Sequence, residues 1–258
     1  MSGVIISIIT VTFNNMAGLK KTTDSVQSQT FSRYEHVIID GDSTDGTVDY
    51  LFQLKQLANM KYISEPDTGI YNAMNKGVTL SKGNWLIFLN AGDVFCSKDT
   101  LEQLYKTNFF QDETLWLIYG DKMDCQNRII KAQQQMDCLF YGEMPACHQS
   151  MFFRNDIRYN ESYKIFGDID LLSKLYVQGI RHKYIELPVS IYEGGGISSK
   201  ISWLKRKEKF RSLFYNFGMM AVIKNYFLNP VFYQKIFKTI SLKLSKCIHR
   251  GNIEVIKW

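Results

Sequence analysis

Between Val4 and Asn90 four apolar runs alternate with stretches of helical character, and this alternation leaves the chain few architectures. "VIISIITVTF" reads as a strand, "AGLKKTTDSVQSQ" as a helix, and "YEHVIIDG" as a second strand. "STDGTVDYLFQLKQLA" opens with capping residues and continues as an amphipathic helix. "MKYISE", "IYNAMNKGVTLS" and "NWLIFLN" add a strand, a helix and a strand. Strands separated by helices of this length require right-handed crossovers, so the expected core is an α/β layer with a mostly parallel sheet.

Past Asp93 the pattern loosens. "SKDTLEQLYK" predicts a capped helix, "LWLIYGDKM" a strand and "RIIKAQQQMDC" another extended piece. "HQSMFFR" and "RHKYIELPVSIYE" alternate as strands do, and "DIDLLSKLYVQG" has the acidic start and Gly end of a helix. "GGGISS", Gly194 to Ser199, reads as a loop or hinge.

Charge divides the chain at this loop. From Lys200 to Trp258 there are 13 Lys/Arg against two acids, a net +11; the first 199 residues keep 18 basic and 23 acidic side chains, a net −5. Trp203, Phe210, Leu213, Phe214, Phe217, Met220 and Ala221 recur at helical spacing, as do Phe232, Ile236, Phe237, Ile240, Leu244 and Ile248, with lysines interspersed. The expectation is a catalytic domain over 1–199 and a basic amphipathic helical region over 200–258. That region either packs back on the domain or lies on an anionic membrane surface, and the abundance of aromatics among lysines favours the membrane. A nucleic-acid binder would carry its basicity across the folded domain, so no nucleic-acid partner is expected.

Five cysteines without C-x-x-C spacing predict neither a zinc site nor a disulfide framework. The apolar start lacks a basic leader and cleavage site, and no apolar run approaches the ~18–20 residues of a membrane span. The expected location is cytoplasmic, peripherally attached to the inner face of the cytoplasmic membrane.

The first turn, "TVTFNN", has no G-x-G-x-x-G, and the chain has no G-x-x-x-x-G-K-[ST], H-E-x-x-H or G-x-S-x-G. Chemistry must therefore rest on carboxylates. Asp40, Asp67 and Asp93 follow successive apolar runs, and Asp168 opens a helix. Carboxyl ends of parallel strands share one edge, so the first three are expected to converge on a crevice. A uracil imide can donate to a carboxylate, a diphosphate needs a hard cation with oxygen ligands, and an acceptor hydroxyl needs a base. "LNAGD", residues 89–93, is also a good turn sequence, and the two readings are compatible.

The ordered blocks "SIITVTFNN", "IIDGDSTDGT", "EPDTGIYNAMNKG", "LNAGD", "HQSMFF" and "GDIDLL" resemble the family 2 inverting glycosyltransferases, bacterial polysaccharide and O-antigen enzymes above all. The resemblance implies the GT-A fold: one Rossmann-like, mixed, mostly parallel sheet flanked by helices, here with a C-terminal amphipathic helical tail. It implies that Thr10, Phe13 and Asn14 line the base pocket and that Asp40 accepts from uracil. It places Asp67, Gly69, Asn72 and Asn75 along the ribose and diphosphate, with Ala91 and Gly92 beside the donor. Asp93 would bind Mn²⁺ or Mg²⁺, with His148 as a further metal or diphosphate contact. Asp168 would be the base, with Asp170 its rival, and Glu193 with the loop to Ser199 could close over the diphosphate.

Two departures stand out. Relatives often carry D-x-D or D-x-D-D where this chain has Asn90-Ala91-Gly92-Asp93, and Gly167-Asp168 replaces an E-D pair. The expected activity is transfer of a hexose, UDP-glucose being the best single donor, to a lipid-diphosphate-linked saccharide. A sugar-nucleotide nucleotidyltransferase and a non-catalytic UDP-sugar-binding protein are the alternatives.

Overall fold

The computed structural model describes residues 3–54, 57–192 and 203–228. Glu193, the Gly194–Ser199 loop and the second amphipathic stretch fall outside the described residues.

Four strands form the parallel half of the sheet: β1 (Ile6–Thr12), β2 (Tyr34–Asp40), β3 (Met60–Ser64) and β4 (Trp85–Phe88). They lie in the order β3-β2-β1-β4, so the order reverses beside β1. Helices α1 (Met16–Gln27), α2 (Thr47–Leu54) and α3 (Ile70–Leu80) make the crossovers. Val, Ile, Leu and aromatic side chains of β1, β2 and β4 are buried on both faces, the pattern of a covered parallel sheet.

Beyond β4 the sheet becomes mixed. β5 (Val94–Phe95), β6 (Leu115–Met123), β7 (Ile129–Ile130), β8 (Met151–Arg154) and β9 (Arg181–Ile191) complete it. β8 runs antiparallel between β4 and β6, β9 is parallel to β6, and β5 closes antiparallel on β9. Helix α4 (Thr100–Lys106) covers one face, and α5 (Gly167–Val177) belongs to the core on the other.

Two expected strands are shorter than the alternation implied. "HQS" forms a single 3-10 turn, His148–Ser150, before β8 begins, and only Ile129–Ile130 of "RIIKAQQQMDC" pairs, with Met136–Tyr141 in a 3-10 turn.

α6 (Trp203–Ile223) packs against α5, and its apolar residues separate onto two sides. Leu213, Ala221 and Val222 are buried and Phe217 meets Phe140 at 4.5 Å between ring centroids, whereas Trp203, Phe210, Phe214 and Met220 are exposed. Non-helical backbone at Gly218 kinks the helix. Its one acid is sequestered: Glu208, 3% exposed, accepts from the backbone N–H groups of Lys164, Ile165 and Phe166 at 2.8–3.0 Å. These donors precede α5, so a carboxylate from α6 caps the entry to that helix.

Candidate active site

The carboxyl ends of β1, β4 and β6 open into a cleft of about 990 Å³. Its walls come from the start of α1, from α3, from the turn after β4, from the segment 144–149 and from the first turn of α5. Lys21, Lys122, Lys131 and Lys164 line it with two carboxylates, Asp93 and Asp168, Lys131 being paired with Asp121 at 3.0 Å and Glu186 at 3.5 Å; the lysines give the wall a positive character that suits a phosphorylated ligand.

The stretch "LNAGD" is a turn with a carboxylate at its end. Asp93 N–H donates to Asn90 O at 2.9 Å, Gly92 adopts φ +110°, and Gly92 N–H reaches Gly18 O and the Thr22 hydroxyl. Asp93 Oδ2 accepts from the Asn90 N–H at 3.2 Å and from Gln149 Nε2 at 2.9 Å. The turn thus closes on its own acid, and the side chain after β4 is tied to the turn before β8.

A divalent cation fits here with few protein ligands. Among the described residues no group of three or more His, Cys, Asp or Glu side chains could hold a metal. Asp93 supplies one hard oxygen, and Asn90, also on the cleft wall, has a buried Oδ1 with no hydrogen-bond partner. Two oxygens from one turn suit an ion whose remaining shell comes from water and phosphate, the usual manner of Mg²⁺.

His148 has a different surrounding. It is 9% exposed, stacks on Phe88, and its Nε2 shares a hydrogen bond of 2.7 Å with the Tyr159 hydroxyl. Burial lowers its pKa to about 4, so the ring is neutral. It borders the cleft as a packed ring with Nε2 already engaged.

The two acids of "GDID" face different partners, as positions two apart on a helix must. Asp170 is 1% exposed, pairs with Lys174 Nζ at 2.7 Å and accepts from Asn216 Nδ2 of α6. Asp168 lines the cleft, and burial raises its pKa to about 6, against lesser lowering by the Ile169 N–H, the Tyr71 hydroxyl and the charge of Lys205. Of the two, only Asp168 faces the cleft.

Several residues expected at the nucleotide also make hydrogen bonds within the chain. Thr10 is fully buried and bonds His36 Nε2 at 2.9 Å. Asp40 is fully buried too, its oxygens accepting from the Ser43 N–H and the Ser43 and Ser64 hydroxyls. Burying a carboxylate demands such donors, and these three bonds hold Asp40 at the end of β2. Asn72 and Asn75 donate to Glu161, and Asn75 also bonds the Tyr159 backbone, so both fasten the 159–161 loop to α3.

A rim beside the cleft remains. Phe13 is 63% exposed, and Asn14, at φ 48°, ties its own loop to that of Ser43 and Thr44. Asp67 is half-buried; its Oδ1 accepts from the Gly69 N–H, and its Oδ2 would lie 2.7 Å from a Cβ on Gly41, with Phe13 at 3.3 Å. Gly41 therefore lets an aromatic ring and a carboxylate approach each other, an arrangement suited to stacking a base and accepting from its N–H. Gly41, Gln149, Tyr71 and Glu208 were not singled out from sequence; Glu208 had a signal, as one of two acids in a basic region.

Solved structures similar to this one share its fold. One, Staphylococcus aureus TarS 1–349 in complex with UDP-GlcNAc, superposes with TM-score 0.67 at 17% identity, covering 82% of this chain and 66% of that one. Another, the mannosyltransferase PcManGT of Pyrobaculum calidifontis with GDP-Man and Mn²⁺, gives 0.65 at 14% identity, covering 96% and 76%. The mixed, mostly parallel sheet with its cleft at the carboxyl edge is that of a GT-A glycosyltransferase. The profile of Glycosyl transferase family 2 matches residues 7–157, and the chain belongs to that family. A PGL/p-HBAD biosynthesis glycosyltransferase of Mycobacterium tuberculosis is 33% identical over 219 residues, 80% of this chain and 85% of its own length. The Bacillus subtilis protein TuaG, described as a putative teichuronic acid biosynthesis glycosyltransferase, is 32% identical over 101 residues, 38% of this chain and 40% of its own. The chain is an enzyme of this transferase class, which sets aside the nucleotidyltransferase and non-catalytic alternatives.

Proposed function

We propose that the protein is an inverting hexosyltransferase that uses a UDP-sugar, UDP-glucose first among them, to extend a lipid-diphosphate-linked saccharide in surface polysaccharide or O-antigen assembly. The observation that carries this reading is Asp168, a cleft-wall carboxylate whose pKa is raised to about 6, sharing one cleft with Asp93 and four lysines. In this reading the acceptor oxygen attacks the anomeric carbon while its proton passes to Asp168. The bond from that carbon to the diphosphate oxygen breaks with its electron pair, UDP departs, and the anomeric configuration inverts. Asp93 and Asn90 would hold Mn²⁺ or Mg²⁺, which supplies positive charge to the departing diphosphate. Phe13 and Asp67 receive the base, and Lys21 and Lys164 add charge toward the phosphates.

The exposed side of α6 supports a lipid-linked acceptor. Trp203, Phe210, Phe214 and Tyr215 stand out from it beside Arg206 and Lys207, the pairing of aromatic and basic groups that binds an anionic bilayer surface. No helix among the described residues is long and apolar enough to cross a membrane. The working location is therefore the inner face of the cytoplasmic membrane, held peripherally.

The experiment is a donor panel with Mn²⁺ and a synthetic lipid-diphosphate-sugar acceptor, read by UDP release and product mass. Acceptor-dependent release with UDP-glucose is expected. Turnover only with a GDP-sugar, or undiminished turnover in Asp168→Asn, would overturn the reading.

A further inference from the structure

Tyr71 and Gly167 meet where α3 approaches the first turn of α5. The Tyr71 ring is 5% exposed, stacks on Tyr159 with 5.5 Å between centroids, and carries its hydroxyl 3.4 Å from Asp168 Oδ1. A Cβ on Gly167 would stand 2.7 Å from Tyr71 Cε2 and Cζ, closer than carbon atoms approach. The phenol at 71 and the missing side chain at 167 are therefore one arrangement: either residue changed alone disturbs the other.

The geometry points to Tyr71 as a positioning residue for Asp168, seated in the space Gly167 leaves open and donating to Oδ1. The Ile169 N–H also donates to Oδ1, at 2.8 Å, so the two bonds fix that oxygen and make Oδ2 the one available to an acceptor hydroxyl. A carboxylate on a helix's first turn otherwise has free rotation about two side-chain torsions, and misplacement of the reacting oxygen lowers turnover more than binding. The buried phenol is a suitable donor because it stays protonated: burial and the charge of Asp168 both raise its pKa. Other ionisable groups acting on the pair are Tyr159 from the loop before α5, Lys205 and Glu208 from α6 and Cys147 from the turn before β8. None of them offers the directional bond that Tyr71 makes.

This inference rests on Asp168 being the base, and the two are separated by three variants of the full-length protein. Asp168→Asn tests the base: retained turnover would remove the reading on which the inference stands. Tyr71→Phe keeps the buried ring and its stacking on Tyr159 but deletes the donor. It is expected to lower kcat about tenfold, with KM for the donor sugar within about twofold. Loss of a bond to the ionised carboxylate also raises its pKa, so the acid limb of the kcat–pH profile should move about one pH unit upward. Gly167→Ala, which displaces the ring, should shift the limb the same way. UDP binding by calorimetry checks that each variant folds; if Gly167→Ala does not, Tyr71→Phe alone decides. With Asp168→Asn inactive, an unmoved acid limb in Tyr71→Phe, or a change confined to KM, overturns the positioning role.

Discussion

Gln149 Nε2 donates to Asp93 Oδ2 over 2.9 Å, joining the turn that follows β4 to the turn that precedes β8. Because β4 and β8 are hydrogen-bonded neighbours, the bond holds the carboxylate against the sheet edge and not out in solvent. Gln149→Ala should raise the Mn²⁺ concentration for half-maximal turnover about 10-fold or more while leaving the fold intact, whereas Asp93→Ala should abolish metal-dependent turnover. Metal titrations of UDP release measure both. An unchanged metal requirement in Gln149→Ala would show that the bond does not govern the carboxylate.

Asp168 places function and stability in opposition. Its folded-state pKa, about 6, lies above the ordinary value of 3.8, so the folded protein holds a proton the unfolded chain releases sooner. The neutral form's advantage is complete below the ordinary value and is lost as pH rises through about 6. Asp168→Asn should therefore unfold at higher denaturant than the native protein at pH 8, by on the order of 1–2 kcal/mol after allowance for partial exposure, with the gap closing toward pH 4. The same variant should lose about 10²–10⁴-fold in kcat.

Asp40 and Asp67 should give contrasting variants. Asp40→Ala strands the Ser43 N–H and two hydroxyls inside the protein, so its main effect should be a loss of about 2–3 kcal/mol in urea unfolding. Asp67→Asn should leave stability nearly unchanged and raise KM for the nucleotide sugar. Equal KM effects from the two would contradict the assignment of the base rim to Phe13, Gly41 and Asp67.

On the exposed side of α6, a triple change of Trp203, Phe210 and Phe214 to Ser should weaken sedimentation with anionic vesicles about tenfold or more. Calorimetric UDP binding should be unaffected, because these side chains are 76%, 43% and 39% exposed and the cleft lies elsewhere. Retained sedimentation would place the lipid contact on another surface.

The parallel half of the sheet was legible because its signals are local: β-branched runs, Asn and Ser/Thr/Asp caps, and helices long enough for crossovers. The turn at Asn90–Asp93 was legible for the same reason. What could not be read were partnerships across long separations. Nothing near Asp40 in the sequence tells that the Ser64 hydroxyl will bond its carboxylate, or that Asn72 and Asn75 will bond Glu161. The apparent alternation of "HQSMFFR" concealed a 3-10 turn because a strand and a turn place a few successive side chains similarly. Gly167 was read as the loss of an acid, and only its contact with the Tyr71 ring shows what the loss makes room for.

The carboxylate that α6 delivers to the entry of α5 bears on how such enzymes can be recombined. The matched family segment ends at residue 157, and composition divides the chain near 199, yet Glu208 satisfies three backbone donors beside the Asp168 helix. A chimera that joins residues 1–199 to another relative's C-terminal region inherits a helix start with three unmet donors, unless the graft brings an acid to the same place. Residue 208 therefore marks where the C-terminal helix and the Asp168 helix must be inherited together.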